Sequence, residues 1–329
     1  MSDEAAVAAI VERAARLLGT PLRGARPLPG GHSGVTLVAD TPAGDAVVVK
    51  ATPPGRRAVG RHDVLRQVRG IEVASAAVPV PRILATSADD PPFFVMSFEP
   101  GEAAEPAHDE AESGDDRELV RARFAAATGL LSRLHGLDTV ALVEAGEVPT
   151  TPADELAKWE RTLGAVDAGF REAGERAFAA LAASVPALWR TTFVHGDFRL
   201  GNVLFEGAVP RAVIDWEIWS VGDPRVDLGW YLTFCDPADF PGIGYPARCL
   251  PPAAELLAAY ERDSGGPVPD AAWFLALGAF KMGVIMAHNL ERHRSGRHVD
   301  PFQEQLPPTI EHLLARALLL ATDGLRTSS

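Results

Sequence analysis

The chain has 329 residues, 47% of them hydrophobic and 23% charged, which favours two globular lobes over one small core. Its formal net charge of -13 argues against a nucleic-acid partner, because phosphate binding requires a basic face, and suits a cationic or neutral small substrate. Asp3 and Glu4 stand where a secretory signal carries basic residues, no apolar run is long enough to span a membrane, and two cysteines are too few for a disulfide framework. We therefore predict a cytoplasmic protein with no membrane partner.

The first hundred residues predict a small α+β lobe with a mostly antiparallel sheet. An amphipathic helix comes first, and the β-branched runs VTLVAD and DAVVVKAT, joined by TPAG, predict a hairpin. Apolar residues at helical spacing then predict a helix over residues 61–77. Further strands are predicted around residues 78–84 and 91–98.

The rest of the chain predicts a mainly helical second lobe. Residues 102–118 are acidic and almost free of apolar side chains, which is typical of a solvated loop. Beyond them, helical periodicity predicts helices at residues 119–135, 154–184, 223–234, 252–263, 270–290 and 308–324. The clear β element of this lobe is residues 193–205, where two short apolar runs bracket a polar loop.

Lysine is rare in this chain, since Lys50, Lys158 and Lys281 are the only lysines among 31 basic residues. Lys50 closes an apolar strand, so its ammonium needs an anion, which can be a carboxylate or a phosphate. The Gly-rich turn LPGGHSG upstream favours a phosphate, because glycines let backbone N–H groups approach one closely. The turn matches neither the dinucleotide-binding fingerprint nor the P-loop.

The loop in FVHGDFRLGNVLF presents Asp197 and Asn202, and Asp215 follows at the end of another apolar run. If residues 203–205 and 212–214 pair as a hairpin, Asp215 returns beside this loop. An amide oxygen and a carboxylate are suitable ligands for Mg²⁺. Asp197 can then accept the proton of a hydroxyl group.

These motifs resemble the protein-kinase-like phosphotransferases, and the blocks HGDFRLGNVLF, VIDWE and GDPRVDLGW resemble the aminoglycoside phosphotransferase family. The resemblance covers residues 28–235. It implies an α+β, protein-kinase-like two-lobe fold: a small N-terminal lobe with an antiparallel sheet and one helix, and a larger, mainly helical C-terminal lobe. The implied domains are a nucleotide-binding lobe, 1–98, and a catalytic and substrate-binding lobe, 99–329, with a hinge at about 95–101.

The resemblance also implies roles for individual residues, with ATP and Mg²⁺ as cofactors. Asp197 would be the catalytic base, Asn202 and Asp215 would hold Mg²⁺, and Lys50 would bind the α- and β-phosphates. The other implied nucleotide contacts are Gly30, Gly31, Ser33 and Gly34 over the phosphates, and Met96, Ser97 and Phe98 at the adenine.

Supporting roles follow from the same resemblance. His195 would anchor the catalytic loop, and Asp227 would brace it. Kinase-like proteins pair the strand lysine with a glutamate on a helix, and here Gln67 occupies that position. Glu72 or Asp63 can substitute, so the acidic partner of Lys50 stays open.

The motifs together predict an ATP- and Mg²⁺-dependent phosphotransferase that acts on a hydroxyl group of a small molecule. One alternative is a nucleotide-binding pseudokinase or regulatory module, which the retention of all the catalytic motif residues disfavours. A second is a metal-dependent phosphoesterase using His195, Asp197 and Asp215, but that interpretation gives Lys50 no role.

The sequence leaves the substrate open among antibiotics, sugars, amino alcohols and other metabolites, and it leaves open ATP against GTP and the oligomeric state. Acidic residues near the expected cleft favour a cationic substrate, and aromatic residues there could stack on a ring. The acidic residues are Glu217, Asp236 and Asp239; the aromatic ones are Trp216, Trp219, Trp230 and Tyr231.

Overall fold

The computed structural model describes residues 3–28, 35–53, 55–105, 117–242 and 250–327. Its helices are α1 (Asp3–Leu18), α2 (Val64–Ala74), α3 (Arg117–Leu134), α4 (Val140–Glu144), α5 (Pro152–Leu163), α6 (Ala168–Ala182), α7 (Arg225–Thr233), α8 (Ala253–Ser264), α9 (Ala271–Arg294) and α10 (Pro307–Thr327). Its strands are β1 (Arg23–Pro27), β2 (Val35–Asp40), β3 (Ala46–Ala51), β4 (Ile83–Ser87), β5 (Phe93–Ser97), β6 (Glu102–Ala103), β7 (Thr192–Val194), β8 (Val203–Glu206), β9 (Val209–Val213) and β10 (Ser220–Gly222). Short 3-10 helices lie at Gly60–His62, Leu200–Asn202, Trp216–Ile218, Pro237–Asp239 and Pro301–Gln305.

The chain divides into two compact units, and it enters the first of them more than once. Unit 1 comprises Met1–Glu102, Val203–Glu206 and Pro210–Trp219; unit 2 comprises Ala103–Asn202, Gly207–Val209 and Ser220–Ser329. The division into lobes at residues 98 and 99 stays a prediction. An antiparallel sheet in unit 1 and a mainly helical unit 2 confirm the predicted fold class.

Unit 1 is built on a five-stranded antiparallel sheet in the order β1-β2-β3-β5-β4. The predicted hairpin is β2–β3, whose register places Thr36 opposite Lys50. Alternate apolar residues of these strands enter a core that Ile10 and Ala14 of α1 also fill. Strand β1 was not predicted, because its sequence RGARP is exposed and has no apolar alternation.

Unit 2 packs its helices around α9, which runs through the main core cluster. This helix is apolar on nearly every side because it is surrounded by neighbours. Among the described residues it is the one helix long and apolar enough to cross a membrane, with a mean hydropathy of 1.4 over its most apolar window. That window is 72% buried inside the protein, as expected of a core helix.

The stretch predicted as one helix over residues 154–184 is two helices. Helix α5 begins with Pro152 after a capping box between Thr151 and Asp154, and it ends at Leu163, with Gly164 as the C-cap. Asp167 then caps α6 by accepting a hydrogen bond from the backbone N–H of Gly169. Hydrophobic periodicity alone does not reveal this break, because it is the cap residues that end one helix and begin the next.

The two apolar runs on either side of the polar loop are strands β7 and β8, and each of them pairs with a different strand. Strand β7 pairs antiparallel with β10, and β8 is a neighbour of β9 in a different sheet. The pairing of β8 and β9 confirms the predicted hairpin. It brings the chain from the end of the loop to Asp215.

Candidate functional site

Three charged side chains of unit 1, Lys50, Asp215 and Glu217, form the Lys50 cluster. Lys50 is the next-to-last residue of β3, and the two acidic residues belong to the segment that follows β9. Lys50 Nζ lies 3.5 Å from Asp215 Oδ1 and 3.8 Å from Glu217 Oε2. The side chains are 13%, 39% and 17% exposed respectively, so the cluster is partly open to solvent.

Trp219 fixes the position of the acidic segment of this cluster. Its indole N–H donates to the carbonyl of Arg66 at 2.8 Å, and the Arg66 guanidinium donates to the carbonyl of Trp219 at 2.8 Å. The ring lies over Gly70 of α2, where an added Cβ would come within 2.5 Å of the indole. The absence of a side chain at Gly70 therefore lets the segment pack against α2.

The structure shows which carboxylates lie near Lys50. Among the described residues, those within 4.0 Å of its Nζ belong to Asp215 and Glu217 and not to the helical candidates Glu72 and Asp63. Asp63 instead caps α2 by accepting from the N–H of Arg66, and Glu72 is exposed. The sequence signal for Glu217 was its place two residues after Asp215.

Gln67 is buried on α2, at the position where the family pattern expects a glutamate. Its Nε2 donates to the carbonyl of Arg61 at 3.0 Å. This bond ties α2 to the preceding 3-10 turn. A supporting role for Gln67 at the nucleotide site stays a prediction.

Asp215 has a backbone conformation that is uncommon for a residue with a side chain. Its φ of 68° and ψ of 58° lie in the left-handed region, which aspartate tolerates better than most residues. This conformation turns the chain sharply between β9 and the next 3-10 helix. The Asp215 carboxylate is partly exposed and lies 3.5 Å from Lys50 Nζ.

The predicted adenine-contacting residues lie at the end of β5 and just beyond it. Met96 is paired with Val48 within the sheet. The backbone N–H of Ser97 donates to the carbonyl of Arg82 at 2.9 Å, and that of Phe98 donates to the carbonyl of Ala46 at 3.3 Å. Their N–H groups are therefore engaged by unit 1 itself, and the adenine contact stays a prediction. The predicted phosphate-contacting residues lie outside the described residues: Gly30, Gly31, Ser33 and Gly34.

Residues 195–202 of unit 2, here called the Asp197 loop, connect β7 to β8. Asp197 accepts a hydrogen bond at Oδ1 from the indole N–H of Trp230 at 2.7 Å and one at Oδ2 from Asn202 Nδ2 at 2.9 Å. Asn202 Nδ2 also donates to the carbonyl of Asp197 at 2.7 Å. The structure therefore brings Asp197 and Asn202 into direct contact, and Asn202 directs its amide nitrogen toward Asp197.

Asp227 holds the start of the Asp197 loop by its backbone. The carboxylate is fully buried and accepts from the N–H of His195 at 2.6 Å and the N–H of Gly196 at 2.7 Å. Its third partner is His135 Nε2 at 3.3 Å, on a ring that also bonds to Tyr260. Burial by itself would raise the pKa of Asp227, but the hydrogen bond with His135 and the nearby His rings outweigh it and lower that pKa.

His195 is buried inside this network. Its Nδ1 accepts from the backbone N–H of Asp197 at 3.2 Å, and its ring packs edge-on against Phe198. The side chain is 0% exposed. These contacts suit an anchoring residue better than a metal ligand.

Arg199 of the Asp197 loop forms an ion pair with Glu105, which no pattern in the sequence indicated. Arg199 Nη1 lies 2.6 Å from Glu105 Oε2, and Arg199 Nε lies 3.7 Å from Asp197 Oδ2. Glu105 also accepts from the N–H of Gly201 at 3.2 Å. Burial raises the pKa of Glu105, and Arg199 offsets part of that rise.

The predicted stacking and acidic residues have structural contacts instead. The four aromatic residues are buried, so their rings are not exposed to a substrate in this structure: Trp216, Trp219, Trp230 and Tyr231. Asp239 is buried against Arg316 and accepts from His312 at 3.2 Å, while Glu217 belongs to the Lys50 cluster. Asp236 is exposed and accepts from the N–H of Ala238 at 2.9 Å. A cationic substrate stays a prediction.

A family model and several known proteins match this chain. Residues 24–275 match the model of the phosphotransferase enzyme family. Mouse acyl-CoA dehydrogenase family member 10 is 28% identical over 298 residues, covering 85% of this chain and 28% of that protein. Viomycin phosphotransferase of Streptomyces vinaceus is 36% identical over 181 residues, covering 52% of this chain and 61% of that enzyme. The chain thus spans less than two thirds of either relative.

A solved structure has the same fold as this chain. A Ralstonia eutropha protein assigned as an aminoglycoside phosphotransferase superposes with a TM-score of 0.76 and 21% identity. The superposition covers 98% of each chain. At this identity the match establishes the fold alone, and that fold is the predicted one.

Proposed function

The chain belongs to the phosphotransferase enzyme family, and we propose that it transfers the γ-phosphate of ATP, with Mg²⁺, to a hydroxyl group of a small molecule. The observation that carries this proposal is the fixed carboxylate of Asp197. Two donors hold its oxygens, and Asp227 anchors the backbone that precedes it. A preset carboxylate suits a group that orients a hydroxyl and accepts its proton.

Asn202 and Asp215 are the residues that would hold Mg²⁺. The amide nitrogen of Asn202 is used on Asp197, which leaves its oxygen for a cation, and the Asp215 carboxylate is partly exposed. Oxygen donors of this kind fit Mg²⁺. When bound, the ion would neutralise charge on the transferred phosphoryl group.

Lys50 would bind the phosphates of the nucleotide. In this structure its ammonium lies near two carboxylates at distances longer than tight ion pairs. An incoming polyphosphate offers the same ammonium a stronger set of acceptors. Phosphoryl transfer requires mainly such positioning and charge neutralisation, so no covalent intermediate is needed.

The alternatives fit the structure less well. A phosphoesterase using His195 as a metal ligand conflicts with the complete burial of that side chain. A pseudokinase would not require the two hydrogen-bond donors that orient the Asp197 carboxylate. The cytoplasmic location stays a prediction.

The names of the relatives suggest two acceptor classes. One is an antibiotic such as viomycin, from the relative that is 36% identical. The other is a hydroxyl-bearing acyl thioester of coenzyme A, because the relative aligned over 85% of this chain is named an acyl-CoA dehydrogenase family member. Both classes belong in a substrate screen beside sugars, amino alcohols and aminoglycosides.

The test is transfer of labelled γ-phosphate from ATP or GTP to each acceptor, with and without Mg²⁺. We expect Mg²⁺-dependent transfer to one class, and Asp197→Ala to lower kcat about 10³-fold. Asp89→Ala is the control, since Asp89 is exposed. Nucleotide binding with equal turnover by Asp197→Ala and the wild type would contradict the proposal and favour the regulatory alternative.

A further inference from the structure

Lys281 is a buried cation that the proposed reaction does not use. It lies on α9 with 3% of its surface exposed. Its Nζ donates to the carbonyl of Gly196 at 2.7 Å, and within the described ranges no carboxylate oxygen comes within 4.0 Å of it. Burying an ammonium without a close counter-ion costs stability. The other contacts of Lys281 must offset this cost.

Two indole rings surround the ammonium. Lys281 Nζ lies 4.0 Å from the ring centre of Trp230 and 5.4 Å from that of Trp159. Cation–π attraction offsets part of the desolvation. Burial lowers the pKa of Lys281, while the carboxylates of Glu155 and Asp197 oppose that effect.

Trp230 contacts Lys281 through its ring face and Asp197 through its N–H. The indole N–H donates to Asp197 Oδ1, while Asn202 donates to Oδ2. Each carboxylate oxygen therefore has its own fixed donor, which restricts rotation of the Asp197 side chain. Loss of the indole donor would leave one oxygen unrestrained.

Lys281 acts on the peptide unit just before Asp197. Gly196 has a φ of 88°, its N–H donates to Asp227, and its carbonyl accepts from Lys281. The backbone is thus held from both sides, and the side chain is held by Trp230. Helices α7 and α9 supply these restraints.

We propose that Trp230 and Lys281 are positioning residues for the catalytic carboxylate. Trp230 sets the direction of the Asp197 side chain, and Lys281 supports the Trp230 ring and the Gly196 carbonyl. Both residues act through Asp197 and its backbone, Trp230 by its hydrogen bond to Oδ1 and Lys281 by its contacts with Trp230 and Gly196. The inference rests on the proposed function, because it takes Asp197 as the base.

The first test removes the indole donor from position 230. Trp230→Phe and replacement of Trp230 by 3-benzothienylalanine, which keeps the bicyclic shape but lacks the N–H, are assayed against the acceptor found in the screen. We expect kcat to fall roughly 10- to 100-fold in both, with KM for ATP and for the acceptor unchanged. The control is Trp273→Phe, which removes another buried indole and its bond to the carbonyl of Leu181.

The second test removes the charge of Lys281. We expect Lys281→Met to lower kcat without lowering the midpoint of urea unfolding, because the variant no longer buries an ammonium. Lys158→Met is the matched control; Lys158 is partly exposed and pairs with Glu155 at 3.4 Å. Its kcat should equal that of the wild type.

The possible outcomes separate this inference from the proposed function. A wild-type chain that transfers no phosphate to any acceptor contradicts the proposed function. If the wild type is active and Asp197→Ala is not, but the benzothienyl variant keeps wild-type kcat, the proposed function stands and the positioning role of Trp230 is wrong. A kcat of Lys281→Met equal to that of Lys158→Met overturns the role of Lys281.

Discussion

The Asp197 loop and the Lys50 cluster hold their charges in different ways. In the loop, buried donors lie 2.6–2.9 Å from the carboxylates of Asp227 and Asp197. In the cluster, partly exposed charges lie 3.5 and 3.8 Å apart. Short, buried hydrogen bonds fix the orientation of a carboxylate. Longer, partly exposed ion pairs are weak, so their charges can exchange partners with little loss of free energy. The side chains of the Asp197 loop are therefore more tightly restrained than those of the Lys50 cluster.

The largest effect on stability should come from breaking the buried network at Asp227. Asp227→Asn removes the charge and directs an amide N–H₂ toward backbone donors, so one donor loses its acceptor. We expect the free energy of unfolding to fall by about 3 kcal/mol or more, with activity falling as well. Asp63→Asn is the control, because asparagine caps a helix as well as aspartate does. Equal urea midpoints for the two variants would show that the buried network at Asp227 contributes no more to stability than the helix cap at Asp63.

The same variant tests the pKa of Asp227. A lowered folded-state pKa means that the carboxylate stabilises the protein above its unfolded pKa of about 3.9, and that this stabilisation is lost as the pH falls through the folded-state value. The difference in unfolding free energy between wild type and Asp227→Asn should therefore shrink between pH 5 and pH 2 (roughly the titration range of a carboxyl group). A difference that stays constant over acid pH would show that the charge is not the cause.

A smaller effect is expected from Gly70→Ala, which disturbs the support of the Lys50 cluster. The new methyl group would meet the Trp219 ring at 2.5 Å, and such overpacking costs about 1–3 kcal/mol. Gly129→Ala is a matched helical control with its nearest neighbour at 3.7 Å, and it should stabilise the protein by up to about 1 kcal/mol. Thermal unfolding compares them. Shifts of the same sign would contradict the packing role of Gly70.

The smallest effect on stability should come from Lys50→Met. Partly exposed ion pairs contribute about 0–1 kcal/mol, so the unfolding free energy should change by no more than that. Turnover should still fall about 10²-fold or more, because the phosphates lose a fixed cation. Lys158→Met again serves as control, assayed for ATP turnover and urea unfolding. If Lys50→Met lowered the stability as much as Asp227→Asn does, the Lys50 cluster would be as important for stability as the Asp197 loop, and the predicted difference would be wrong.

The sequence by itself determined the fold class, the β2–β3 and β8–β9 hairpins and the family. These features depend on local patterns: alternation in strands, periodicity in helices, and the fixed spacing of the Asp197 loop and Asp215. Local pattern failed at β1, which has no alternation, and at the break between α5 and α6, where caps interrupt a continuous apolar stripe.

Only the tertiary structure decided which distant side chains meet at the functional residues. Trp230 is 33 residues from Asp197, Lys281 is 85 from Gly196, and Glu105 is 94 from Arg199. The tryptophan and lysine lie on helices whose periodicity marks them as core, and burial of those helices sets where their polar atoms point. The spacing of residues along the chain does not predict such contacts, because they form between elements that come together only when the core packs.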